Sequence, residues 1–523
     1  MKIESLDLSE ARAAMLKSRR VNAAVHEAAK MDRLTYDWAF KILSVNQEVG
    51  MDQDRLVARS RELANDDTTM TKFLAAVWKN VFGPDGIKMQ SKVMLQRGKK
   101  PNQTANYIID LAWKEWCKKE NCSYDKRTSW VQMQRTVSRT VAIDGECFIR
   151  KIIDSTNPFG FCLEIVNADR VDRTIGRNVP VYLPNGNRLF MGIEMNPVSG
   201  AVVAYHIFDR HPSEFGQGPR QRVRVPADQI IHIFLPVRDN QYRGLPWATP
   251  AMFRLNMLKG YIEAEVVAAR VAACQMGFIT RNLDPDAQYT GEVPENDMNG
   301  GRDIPMEAGA FGQLAPGESI QQFKPEHPTT AFESFVKGAK LDIAAGLDLS
   351  YMSLSGDVAA ANYSSARVGL LDERDTWEGL QGFFIEELCQ PVFSAWLRLA
   401  FLRLQLPGVQ WAAYDCAEWH PRSFPWVDPL KDTQATLLQL QNGFTTLHKV
   451  LAARGEDYDE VMDELQQEQE DIKARGIKIG TDSKGVADTA TDDQNATDTG
   501  GNPTAKPGAA WNSPRFVMLN HKY

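Results

Sequence analysis

Asp415, Glu418 and His420 gather around Trp419. Two carboxylates and an imidazole are the side chains that could hold a metal ion or pass a proton. The run that carries them, Gln405–Pro429, also holds Trp411, Tyr414, Phe424 and Trp426. A polar edge on an aromatic packing segment is therefore the preferred reading. A metal-dependent hydrolase or nuclease built from such carboxylates is the alternative. Asp342 and Asp348 flank Gly346, where solvation of a helix end accounts for them better than catalysis. The chain has no GxxxxGKS/T phosphate cradle, no HExxH and no GxSxG, so the motor and hydrolase motifs are missing. No cofactor or metal is expected.

Phosphate recognition would need cations instead. The densest basic patch is Lys114, Lys118, Lys119, Lys126 and Arg127. It reads as a solvated or inter-subunit face. The run from Arg220 to Arg224 alternates charge as an exposed strand at a sheet edge does. Lys337 and Lys340, before the segment Gly346–Ser365, and Arg367 after it are the better candidates for transient phosphate contact. Asp372 follows on the next helix and is read equally as facing a cation on a neighbouring copy or as an exposed intrahelical face.

The segment Gly346–Ser365 is the most informative stretch. It is small, polar and almost free of charge, and helix-like runs enter and leave it. A catalytic loop normally carries titratable groups. A loop that must face a polyanion without gripping it would have this composition. Its candidate contact residues are Asp348, Ser350, Tyr351, Ser353, Ser355, Asp357, Asn362, Tyr363 and Ser364.

A chain of 523 residues is too long for one core and points to several structural units. Hydrophobic content of 43% and charged content of 24% are ordinary for a globular protein. A net charge of −7 argues against wrapping nucleic acid on a basic surface. It leaves room for a protein that lets a duplex slide past. The seven cysteines are scattered without a CxxC pair, which fits a reducing compartment. The acidic amino terminus is unlike a signal peptide. No apolar run approaches a membrane span, so no membrane association is expected.

Helical periodicity runs from Asp37 to Val81, through Asn106–Cys117 and Ser129–Val141. The period then changes to strands at Cys147–Ile153, Phe161–Val166, Val179–Leu183, Arg188–Met195, Val202–Phe208 and Gln229–Leu235. These predict a small β-barrel or sandwich. A rigid Pro-rich connector leads to a helix over Ala251–Met276 that is apolar on more than one face and so needs several neighbours. Strand candidates follow at Gly309–Leu314 and Ser319–Phe323, then a helix over Thr330–Leu347. Beyond the small-residue segment a helix runs from Ser365 to Leu404, interrupted at Pro391. Lys431–Arg454 and Asp457–Arg475 read as a helix pair. From Thr481 to Ala510 too little apolar area remains to offset chain entropy.

Several segments together resemble the lambda-type portal proteins of tailed bacteriophages. They are Arg243-Gly-Leu-Pro-Trp-Ala-Thr-Pro250 with the helix Glu263–Cys274, Leu354-Ser-Gly-Asp357 with Asn362-Tyr-Ser-Ser-Ala-Arg367, and the late helix from Tyr458. The resemblance implies an α+β, portal-like ring subunit: a wing of helices and a β-barrel, a helical stem, a small α/β clip and a helical crown. It divides the chain into an amino-terminal extension (1–30), wing (31–245), stem helix (246–280), clip (281–327) and second stem helix (328–347). A tunnel loop (348–365), long helix and wing return (366–427), crown-like helices (428–480) and a disordered tail (481–523) follow. It further implies a homo-oligomeric ring, commonly a dodecamer, at one vertex of the virion capsid, assembled in the host cytoplasm. Double-stranded DNA would pass through it during packaging and ejection. The terminase large subunit, head-tail connector proteins, the major capsid protein and scaffold would be its partners. No catalytic activity is implied. Another capsid structural protein is the alternative within the same class.

Overall fold

The computed structural model describes residues 42–94, 102–177, 179–214, 219–273, 277–281, 318–322, 331–357, 363–404, 406, 411–424, 429–454 and 458–475. The expected amino-terminal extension, most of the expected clip including Gly309–Leu314, Asn362 and the polar tail lie outside the described residues.

The described residues open on two helices. The helix α1 (Val45–Asp66) starts at a capping box, in which Ser44 and Gln47 exchange side-chain and backbone hydrogen bonds. Asp67 caps α2 (Thr68–Val81) by accepting the Met70 N–H at 2.7 Å. After β1 (Lys88–Ser91) comes α3 (Gln103–Trp116), whose Ile109, Trp113 and Trp116 are buried. A short α4 (Lys119–Cys122) leads to α5 (Trp130–Asp144), which has a second capping box at Ser129 and Gln132 and ends on Gly145 in the left-handed region.

The strands β2 (Glu146–Ile153), β3 (Phe161–Val166) and β9 (Ile230–Phe234) form an antiparallel sheet in the order β3-β2-β9. Five more build a second antiparallel sheet: β4 (Val181–Tyr182), β5 (Arg188–Phe190), β6 (Ile193–Met195), β7 (Val202–Phe208) and β8 (Arg222–Pro226). Phe148, Val166 and Ile230 of the first sheet share a core with Phe190, Ile193, Tyr205, Ile207 and Val225 of the second. The expected β region is thus two open sheets about one core, the sandwich form rather than a closed barrel. The expected single strand Arg188–Met195 is a hairpin. Met191 and Gly192 both take positive φ, 44° and 82°, and fold it back on itself. The run from Arg220 to Arg224 enters β8, at the edge of its sheet as its alternation predicted.

Next come α6 (Met252–Ala273), the antiparallel pair β10 (Gly277–Arg281) and β11 (Glu318–Gln322), and α7 (Phe332–Gly346). A five-residue helix α8 (Tyr351–Ser355) precedes α9 (Tyr363–Phe384). One π-helical turn at Ile385–Cys389 joins α9 to α10 (Gln390–Ala400). Pro391 follows closely on that π-helical turn, so its missing N–H falls where the regular α-helical ladder is already interrupted. The strand β12 (Ala417–His420) then pairs with β1, with His420 opposite Lys88. The expected helix Lys431–Arg454 is two, α11 (Pro429–Gln441) and α12 (Leu447–Ala453), parted near Gly443 with φ 73°.

The main core gathers α2, α3, α5, β2, α6, α9 and α10. At its centre Trp113, Trp116, Trp130, Phe393 and Trp396 meet with ring centroids 4.7–6.3 Å apart. A second compact unit begins after Tyr458. Its described part is α13 (Tyr458–Arg475) from Asp459 onward, a charged helix in which Arg475 pairs with Asp471 at 3.6 Å. No described helix is long and apolar enough to cross a membrane.

Candidate functional site

The charge-poor segment after α7 is anchored at its start. Asp348 turns the chain with φ 55°, and its Oδ2 accepts from the Thr376 hydroxyl of α9 at 3.2 Å. Leu349 and Leu354 are buried. Ser350 caps α8 by accepting the Ser353 N–H at 3.2 Å. The Ser350 hydroxyl also donates to the Glu373 carboxylate of α9 at 2.7 Å, and the Trp377 indole N–H donates to the other oxygen at 3.1 Å. Glu373 is buried and satisfied by neutral donors.

Six of the candidate residues therefore lie on one ordered turn packed against α9. Ser353 hydrogen-bonds the Ser350 hydroxyl, Ser355 donates to the Tyr351 carbonyl at 2.7 Å, and the Asp357 N–H donates to Ser355 at 3.1 Å. Gly356 ends α8 with φ 73°. Asn362 lies outside the described residues. Tyr363 and Ser364 begin α9, with side chains outside the described set.

The three candidate phosphate contacts differ. The Lys337 ammonium stands 5.7 Å from the Tyr351 ring centroid, a cation–π distance. Lys340 is half-buried with no ion pair among the described residues. Arg367 is half-buried and partnered.

The helices around this segment leave apolar surface open. Tyr261 of α6 stacks on Phe332 and meets Phe335 edge-on, with centroids 5.9 and 4.9 Å apart, and Arg254 pairs with Asp342. Leu255 and Leu258 of α6 are buried, yet on its other sides Phe253 is 71% exposed, Met257 58%, Val266 53% and Val267 57%. Phe253, Arg254, Met257, Leu258, Tyr261, Phe335 and Ala339 line a groove of about 270 Å³ whose open walls are nearly all apolar.

The Asp415, Glu418 and His420 group is engaged in contacts within the fold. Asp415 accepts from Gln390 at 3.0 Å, the Gln390 side-chain oxygen accepts the Trp419 indole N–H at 2.9 Å, Glu418 is 3.8 Å from Lys92, and His420 faces Gln90 at 3.3 Å. No group of three or more metal-ligating side chains occurs among the described residues. The cations at the edge strand are engaged as well. Arg222 pairs with Asp172, Arg224 with Glu194, and Arg220 covers the Phe208 ring.

One buried cluster went unread in the sequence. Arg243, the first residue of the Arg-Gly-Leu-Pro-Trp turn, and Glu146 are both 0% exposed. Gln53 donates to Glu146 at 3.1 Å, the Gly244 N–H at 3.1 Å, and His232 lies 3.2 Å away. Burial alone would raise the Glu146 carboxyl pKa, but the charge of Arg243 and the hydrogen bonds of His232 and Arg243 outweigh it and hold the pKa well below the carboxylate range. The signal was in plain view: an Arg-Gly pair beside a Pro-Trp connector, where bare backbone must approach bare backbone. A Cβ on Gly244 would stand 2.0 Å from the Gly145 carbonyl oxygen.

The family model for the phage portal protein, lambda family, matches residues 31–381. The "Probable portal protein" of Halomonas phage phiHAP-1 is 30% identical over 459 residues, 86% of this chain and 87% of that protein. Portal protein B of Escherichia phage lambda is 24% identical, covering 71% of this chain and 74% of that one. Among solved structures, a chain from the neck of an empty gene transfer agent particle aligns with a TM-score of 0.41 at 14% identity, covering 79% of this chain and 99% of that one. With the family model spanning well over half of its length, this chain belongs to the lambda family of phage portal proteins.

Proposed function

We propose that the chain is one subunit of a ring, commonly a dodecamer, set at a single vertex of the virion capsid. The ring serves as a conduit through which double-stranded DNA is packaged and later ejected. It acts by shape and position and has no catalytic step.

Beyond family membership, the observation that carries this reading is α6. It buries Leu255 and Leu258 against its own chain and still exposes Phe253, Met257, Val266 and Val267 by more than half. A helix apolar on several sides requires further neighbours, and copies arranged about an axis supply one on each flank. In this reading residues 31–245 form the wing, α6 and α7 the stem, 281–327 the clip, 348–365 the tunnel loop, 366–427 the long helix and wing return, and 428–480 the crown.

The tunnel loop suits a sliding duplex. Cations fixed along a channel would displace counterions and hold the phosphates. Its candidate contact residues from Asp348 to Ser364 are hydroxyls, an amide, phenols and two carboxylates. Lys337, Lys340 and Arg367 stand beside them as transient phosphate contacts. The terminase large subunit, head-tail connector proteins, the major capsid protein and scaffold are the partners such a ring would meet.

Negative-stain microscopy and sizing of the purified chain test the reading. Annular particles with a central hole are expected. A folded monomer at every concentration would overturn it.

A further inference from the structure

The serines at the start of the candidate segment direct their protons inward. A hydroxyl carries one proton and donates once, although it can accept twice. Ser350 gives its proton to Glu373 at 2.7 Å. The Ser350 and Ser353 hydroxyl oxygens lie 2.9 Å apart, so the proton between them comes from Ser353. The Ser350 oxygen then accepts twice, from the Ser353 hydroxyl and from the Ser353 N–H at 3.2 Å. Ser355 gives its own proton to the Tyr351 carbonyl at 2.7 Å.

Glu373 fixes the direction of this chain. Its Oε2 also accepts the Ser350 N–H at 3.3 Å, and its Oε1 accepts the Trp377 indole N–H at 3.1 Å. An N–H can only donate, so both carboxylate oxygens act as acceptors. Glu373 is buried, which leaves water little access to the Ser350 proton. The order of donation is therefore Ser353 to Ser350 to Glu373. Phosphate oxygens can only accept as well. A passing DNA backbone would find the protons of Ser350, Ser353 and Ser355 already committed.

We propose that Glu373 is a positioning residue that keeps serine donors away from the duplex. The inference rests on the tunnel-loop reading above and names the residue that gives the loop its weak grip. Glu373 acts through Ser350 and does not itself touch DNA.

Glu373→Gln in the full-length chain tests this. The substitution nearly preserves size and shape. With the amide oxygen kept on the Trp377 N–H, the amide NH2 faces Ser350 and donates to it. Ser350 must then pass its proton to Ser353, and the Ser353 proton is set free at the half-buried end of the chain. Rings are expected at the wild-type yield. Packaging of double-stranded DNA should slow by about fivefold, the worth of one net hydrogen bond. Raising the salt concentration should not relieve the slowing, because a neutral donor releases no counterions. Adding Ser353→Ala removes the freed hydroxyl and should restore the rate, whereas Ser353→Ala alone should package as wild type. A merely loosened turn would not be rescued, since Ser353→Ala takes a further bond from it. Ser350→Ala is a second route that keeps the carboxylate. It removes the acceptor of the Ser353 proton, and the same slowing and the same rescue are expected.

Slowing that Ser353→Ala does not reverse would overturn the proposal. Wild-type packaging rates in both the Glu373→Gln and Ser350→Ala variants would also overturn it, and the loop reading stands if Asn362→Lys with Ser364→Lys blocks packaging. Wild-type rates in all three would instead overturn the loop reading on which the proposal rests.

Discussion

Arg243 and Glu146 meet in the interior, with Arg243 Nε 3.0 and 2.8 Å from the two carboxylate oxygens. Arg243 Nη1 also donates to the Met191 carbonyl at 2.6 Å, and Gln241 donates to the Arg243 carbonyl at 2.7 Å. One guanidinium thereby ties the start of β2, the β5–β6 turn and the connector into α6. Arg173, itself near Asp54 and Asp169, lies 3.5 Å from the same Glu146 oxygen. A charge network of this depth fixes where α6 leaves the β region.

Removal of one partner should be costly. Arg243→Met leaves Glu146 buried without its main counter-charge, a change that typically costs about 3–5 kcal/mol. Arg243→Lys keeps the charge but loses the planar fork, so a smaller loss is expected. Urea unfolding of the two variants checks this. A Met variant within about 1 kcal/mol of wild type would show that the network does not hold the joint.

Acid should weaken the same joint. Burial lowers the pKa of His232 below its ordinary value of 6.5, so it stays neutral in the fold and binds a proton more readily when unfolded. Stability is then complete above pH 6.5 and falls as the pH drops below it. Glu146, whose pKa is held below its ordinary 4.5, adds a loss of the same sign at still lower pH. Melting temperature should decline from pH 7 towards pH 5, and His232→Gln should flatten that decline. Equal slopes in the variant and the wild type would assign the acid effect elsewhere.

Gly244 gives a steric test that does not involve charge. Its missing Cβ lets the connector lie against Gly145, which has φ 86°. Gly244→Ala places a methyl into backbone carbonyl atoms that no rotamer change can move, and overpacking of this kind costs about 1–3 kcal/mol. Gly379→Ala, at a site with nothing within 4 Å of the added Cβ, serves as the control. Helix propensity favours the control change by about 1 kcal/mol. Thermal melts of the pair should move in opposite directions.

Helices were readable from sequence because Phe73, Leu74 and Val77, and again Trp130, Met133, Val137 and Val141, recur at three-to-four spacing, and all are buried. Strands β2, β3 and β7 were readable because turn residues bound them. Two features depended on contacts that no local window holds. The β1–β12 pair joins residues more than 300 positions apart. The Arg243–Glu146 pair places charged residues in a core, whereas charged side chains are ordinarily read as surface. The short helix α8 was missed for a third reason. Its stability comes from the Ser350 cap and Glu373, and a five-residue helix has little periodicity of its own.

The tunnel-loop proposal has its own test. Asn362→Lys with Ser364→Lys adds two cations where the segment carries none, and each should hold a phosphate by counterion release. Ring yield should be unchanged, since neither position is among the residues that line the α6–α7 groove. Packaging of double-stranded DNA should slow or stop, and raising the salt concentration should partly relieve the block, because counterion release weakens with salt. A Gln pair at the same positions is the control for size without charge. Packaging at the wild-type rate in the Lys variant would show that the segment does not face the duplex.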